Sequence, residues 1–171
     1  MGPDFWSIRW IPGDDTGIDE TVADMSRLKQ AAVQDGRLVV FAQDVSRPAG
    51  PTEGPNVLAA IMDFIRRRWV FRKDSIGVQI IKTPQRQLAE LEAHGTLLGN
   101  CVDASVLAAA LAEAVGYPTR FVVVQREPES RGFDHIYVEA WTRGRWWPMD
   151  GVAMGRPAFF RPPSLRLKAY T

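Results

Sequence analysis

The sequence predicts an α+β fold: a helix bearing the chain's one cysteine packs on an antiparallel sheet, with extra helices on its N-terminal side. Three observations predict it. Residues 104–115 form an apolar run in which Val106, Leu107, Ala110, Leu111 and Ala114 recur at helical spacing over much of the circumference, the mark of a buried helix. Residues 133–141 alternate as a strand, and Arg143-Gly144 is a tight-turn signal leading into a second strand over 145–149. Upstream, apolar residues recur at helical rather than strand spacing in several separate stretches.

In chain order, residues 1–17 combine Trp6 and Trp10 with Pro3, Pro12 and several glycines, an arm expected to pack on the rest because exposed tryptophans are unfavourable. From Ile18 through Val22, Met25, Leu28 and Ala32 runs an amphipathic helix with acids early and bases later. Asp35 can cap a second helix with Leu38, Phe41, Ala42 and Val45 on one side. The same residues also fit a strand, and periodicity favours the helix. Residues 47–55 hold three prolines and two glycines, a breaker segment. Asn56 is then expected to cap a helix with Val57, Ala60, Ile61, Phe64, Ile65 and Trp69 as its core stripe. The Arg66, Arg67 and Arg68 cluster at its end reads as a solvated face complementing a helix C-terminus, ahead of a phosphate or acidic-partner patch. Residues 76–81 read as a short strand, and Thr83-Pro84 opens a helix through Leu88 and Leu91 that ends near Gly95.

Composition bounds the function. A length of 171 residues suits a single domain over 1–171 with a real core. Lys and Arg number 21 against 20 Asp and Glu, so the +1 balance gives no case for nucleic acid or a membrane surface. No apolar run is long enough to span a bilayer, and the start of the chain lacks the pattern of a leader peptide. One cysteine excludes an internal disulfide, which suits a cytoplasmic location. Two histidines and one cysteine form no recognised ligand spacing, so neither a metal nor a cofactor is expected.

The chemistry centres on Gly99-Asn100-Cys101-Val102-Asp103. Asn100 is a good N-cap and Asp103 can reach back, a weak capping box, which puts Cys101 in the first turn of the buried helix. Free N–H groups and the positive end of the helix dipole favour thiolate there. If Arg143 and Gly144 are the whole loop, Trp141 faces Trp146, Tyr137 faces Asp150, and His135 becomes the diagonal neighbour of Asp150 on one sheet face. A three-residue loop with a bulge gives another register. Nucleophile, imidazole and carboxylate thus follow in order. Asp134 faces away from His135 in a regular strand and is the poorer partner; Asp103 serves the helix, and His94 is a surface or helix-end residue. Trp146 and Trp147 point to opposite faces, so one can line the site while the other fills core.

At these residues the chain resembles the transglutaminase-like superfamily, a branch of the papain-like cysteine enzymes. The matching pieces are GNCVDASVLAAALAEAVGYPTRFVVV, FDHIYVEAW and GRWWPMDGV, covering roughly Gly95 to Val152. The run GIDETV and the paired helices resemble, more loosely, phage- or prophage-encoded members. The resemblance implies a papain-like fold with the catalytic core over 56–152, after an N-terminal arm, helices and Pro/Gly-rich loop over 1–55 and before a C-terminal tail over 153–171. It implies that Cys101 attacks a carboxamide or peptide carbonyl, His135 carries the proton and Asp150 orients His135. Cysteine peptidase or amidase action on a protein or peptide substrate is the leading expectation and protein-glutamine transglutaminase the second. A non-catalytic binding or phage-assembly module is the third. Where the family often has Gly, Trp or Asp after the cysteine, this chain has Val102. Papain-like enzymes often take a second oxyanion donor from an upstream glutamine, which makes Gln79 and Gln85 candidates.

Overall fold

The structure is a computed structural model and describes residues 6–10, 15–49, 54–74, 78–130 and 132–171. Its elements are β1 (Trp6–Trp10), α1 (Asp15–Ala32), α2 (Gly36–Ser46), α3 (Pro55–Arg68), β2 (Trp69–Phe71), β3 (Val78–Lys82), α4 (Pro84–His94), β4 (Leu97–Gly99), α5 (Cys101–Ala114), β5 (Thr119–Gln125), β6 (His135–Thr142), β7 (Arg145–Met149) and β8 (Arg166–Tyr170). The predicted α+β class is the class observed.

Everything is arranged about α5. All its residues from Val102 to Ala112 are buried. Helices α1 to α4 contact it on one side and strands β5 and β6 on the other. Its alanines add little girth, so neighbours close in, while Val106, Leu107 and Leu111 fill the space between them.

The sheet runs β7-β6-β5-β8 and is antiparallel throughout. Trp141 pairs with Trp146, as the two-residue loop predicts. Arg143 and Gly144 both have positive φ (51° and 76°), the pattern of the type I′ turn that matches strand twist, so no bulge intervenes. Ile136, Val138 and Ala140 join Phe121, Val123 and Met149 in the core shared with α5. Their alternates Val122, Val124 and Tyr137 form a second cluster on the other face. On that face Glu139, fully buried, takes a two-pronged contact from Arg120 (2.6 and 2.8 Å) and an ion pair from Arg161. Arg161 also donates to the Tyr137 hydroxyl (3.3 Å), which fastens the chain after β7 across the sheet.

The helix reading of 36–46 holds: Asp35 accepts the Arg37 N–H (2.9 Å), and Leu38 and Ala42 are buried. Thr83, Pro84 and left-handed Gly95 delimit α4 as predicted. Two expectations need correction. Helix α3 starts at Pro55 with Gly54 in the cap position, because proline fits the first helical turn, so Asn56 is not the cap. Trp69, still buried, lies beyond that helix in β2, which pairs in parallel with β4. At Trp6–Trp10 the N-terminal arm joins the fold by pairing with β3; its Pro3 and Pro12, and residues 76–77 of the expected strand, lie outside the described residues. Within 153–171, residues Arg166–Tyr170 form β8 on β5. No helix among the described residues is long and apolar enough to cross a membrane.

Candidate active site

The site begins with the turn into α5. Asn100 Oδ1 accepts the N–H groups of Val102 (2.8 Å) and Asp103 (3.3 Å), and Asp103 Oδ2 accepts that of Asn100 (3.2 Å), the full capping box. The cap takes the N–H groups of Val102 and Asp103 and not that of Cys101. Asp103 Oδ1 also accepts the Lys82 N–H (2.9 Å), tying β3 to the helix start. Burial pushes the Asp103 carboxyl up to about 6, against the lowering effect of these bonds. Gly99 is required beside it, since an added Cβ would lie 2.4 Å from Asp103 Oδ2. Ser105 Oγ donates to the Cys101 carbonyl (2.7 Å) and the Ile136 carbonyl (3.3 Å), holding this turn against β6.

His135 opens β6 at the sheet's end, buried, between Cys101 and Asp150. Its Nε2 lies 2.7 Å from Asp150 Oδ2, the diagonal relation expected from the hairpin. Its ring lines one cavity with Cys101, and Nδ1 is the ring nitrogen that Asp150 does not use. Burial works against the imidazolium, yet hydrogen bonds to Asp150 and Cys101, with their charge, outweigh it and raise His135 to about 9. Asp150 is fixed in turn: its Oδ1 accepts the Val152 N–H (3.1 Å) and its carbonyl accepts Arg66 Nε (3.1 Å) and Nη2 (2.9 Å).

Other sequence candidates fall elsewhere. Asp134 accepts the backbone N–H groups of Arg126 and Glu127 and the side chains of Arg126 and Ser130. Burial alone would raise its carboxyl, but these bonds hold it below the usual range. His94 is exposed. Gln85 lines a groove between α2 and α4 with Leu38 and Phe41, away from Cys101. Gln79 does share a cavity with Cys101, but its amide donates to Asp74 Oδ2 (2.9 Å) and the Ile80 carbonyl (3.1 Å). Asp74 Oδ2 accepts Asn100 Nδ2 as well (3.0 Å), linking Gln79 to the helix cap. Neither tryptophan lines the Cys101 cavity. Trp146 stacks edge-on against Trp141 (5.3 Å) under Arg120, and Trp147 packs on the core and Phe159 (4.8 Å).

Sequence reasoning missed Arg66. Its guanidinium also donates to the carbonyls of Arg156 (2.9 Å) and Pro157 (3.0 Å), so it is a brace behind Asp150 rather than a solvated charge. Arg67 pairs with Asp63, and Arg68 lies over the Phe64 ring (4.4 Å). The available signal was spacing: Arg66 sits one helical turn beyond buried Met62, on the inward face of α3.

Two depressions flank His135. One, of about 150 Å³, contains Cys101 and is walled by α1, β5 and the start of β6. The other, of about 410 Å³, lies on the Asp150 side and includes Met154, Arg156 and Phe160.

Among solved structures the chain is similar to a candidate cysteine protease from Cytophaga hutchinsonii, at 20% identity and TM-score 0.51 over 69% of this chain. It is also similar to a candidate protease from Parabacteroides distasonis, at 13% identity and TM-score 0.53 over 75%. It spans 37% and 26% of those two chains, and at such identities the likeness is one of fold. No protein of curated function matches it. Residues 40–151, well over half the chain and the stretch holding all three of Cys101, His135 and Asp150, match the profile of one family: the chain belongs to the transglutaminase-like superfamily.

Proposed function

We propose that the protein carries out thiol-dependent acyl chemistry at an amide bond through Cys101, His135 and Asp150, with hydrolysis of a peptide or carboxamide as the outcome. One observation carries the reading: a buried imidazole 2.7 Å from a carboxylate shares one cavity with the thiol at a helix start. With His135 raised to about 9, the imidazole holds its proton at neutral pH and is placed to act as an acid.

The Cys101 thiolate forms a C–S bond to the carbonyl carbon while the π electrons move to oxygen. The Cys101 N–H, unused by the cap, is the first oxyanion donor, and a well-placed donor of this kind is worth about 3 kcal/mol. Collapse breaks the C–N bond, and His135 protonates the departing nitrogen. Water then adds to the thioester as His135 takes its proton, and the C–S bond breaks to release the acid. Asp150 fixes the imidazole orientation and stabilises its charge throughout.

The test is turnover of a peptide-anilide library by wild type and Cys101→Ala, with and without an added primary alkylamine. Cys101-dependent release of anilide supports the reading. An amine adduct in place of free acid assigns the second reading, transglutaminase. No turnover, together with a Cys101 that iodoacetamide does not alkylate at neutral pH, assigns a non-catalytic module.

A further inference from the structure

The cavity beside Cys101 carries information about substrate that the three site residues do not. Ile18, Val22, Val102, Val123, Phe133 and Ile136 form its walls. Its polar members besides Cys101 and His135 already hold partners. Thr21 Oγ1 donates to the Gly17 carbonyl (2.8 Å). The Asp134 carboxylate is shared between Arg126, Ser130 and two backbone N–H groups. The Gln79 amide is committed to Asp74 and the Ile80 carbonyl. No lysine, arginine or glutamate is among its described lining residues. A polar or charged side chain placed here loses water and meets mostly apolar walls and groups that already hold partners, which costs more than the apolar contact returns. An apolar cavity of about this volume holds a benzene ring.

We infer that this cavity is a side-chain subsite for the acyl half of the substrate, and that the protein selects amide bonds flanked by a branched aliphatic or aromatic residue. The inference rests on the acyl-chemistry reading above. Helix α1 supplies Ile18, Thr21 and Val22 to the wall, so an N-terminal element outside the Cys101 helix and sheet contributes to the preference. Ile18 is the member best suited to change it, because it is only partly buried against the core.

The experiment labels the full chain with peptidyl acyloxymethyl ketones, from which a thiolate displaces the carboxylate, varying only the residue beside the ketone. Leu or Phe probes are expected to label Cys101 on the order of 10- to 100-fold faster than Gln, Asp or Lys probes. In Ile18→Arg the Asp probe is expected to gain and the Leu probe to lose. Equal rates for all probes in wild type, a preference for a polar residue, or labelling by none of them overturns the inference. So does an unchanged ranking in an Ile18→Arg chain whose thermal unfolding shows that it folds. Iodoacetamide, which has no side chain to place, separates the two readings. If it alkylates Cys101 in a His135-dependent way while the peptidyl ranking is flat, the subsite falls and the acyl chemistry stands. If it fails to alkylate, both fall.

Discussion

Between about pH 6.5 and 9 His135 carries a proton in the folded protein that an unfolded chain would release. A histidine whose folded value is raised adds its full stability below its unfolded value and loses it as pH climbs through the folded one. The melting temperature is therefore expected to drop from pH 6.5 to 9.5, reflecting about 3 kcal/mol. The drop should be smaller in His135→Ala, and equal drops would separate it from His135. Asp150→Asn is expected to keep the fold and cut turnover severely, the comparable change in a serine triad costing about 10⁴. Asp134→Asn should leave turnover within a few-fold, and the reverse ranking would reassign the carboxylate. The His135–Asp150 pairing was legible because Arg143-Gly144 is a two-residue turn, and such a turn fixes every pair along the hairpin. The glutamines were not legible. Whether a side-chain amide is free depends on partners such as Asp74 that no spacing rule brings near.

At the scale of elements, α5 is held at its first turn by one carboxylate that accepts from both Asn100 and Lys82. Asp103→Ala leaves two backbone N–H groups without their acceptor and is expected to cost on the order of 3 kcal/mol in chemical denaturation. Gly99→Ala should destabilise as well, by displacing the carboxylate. The capping box itself was readable from Asn100 and Asp103, since it is local; its bond to β3 is not. Arg66 teaches the same lesson. Its acceptors are carbonyls 84 to 91 residues away, and a carbonyl has no sequence identity. Arg66→Ala is expected to lower kcat on the order of 10- to 100-fold by letting Asp150 drift. Lysine should rescue this poorly, because a single ammonium cannot reproduce the fork of contacts. A kcat equal to wild type in Arg66→Ala would leave the brace a purely structural role.

Across the whole molecule, the two faces of the sheet are secured by different means, apolar packing under α5 and a buried charge cluster on the other side. Glu139→Gln keeps the shape but removes the charge that Arg120 and Arg161 neutralise, and is expected to lower stability by about 2–3 kcal/mol in urea titration. The layered α+β class was legible because helix and strand periods differ. The closure of the sheet by β8 was not, since Arg166–Tyr170 is short, exposed and paired with a strand some forty residues earlier. That closure has a consequence for biosynthesis. Lys168 and Tyr170 reach back to Asp19 on α1, the helix that walls the Cys101 cavity. A ribosome adding about 5–20 residues per second finishes Cys101 several seconds before β8. During that interval the bonds from Lys168 and Tyr170 to Asp19 do not yet exist, so on the acyl-chemistry reading the thiol is made before the cavity that seats its substrate is secured from this side.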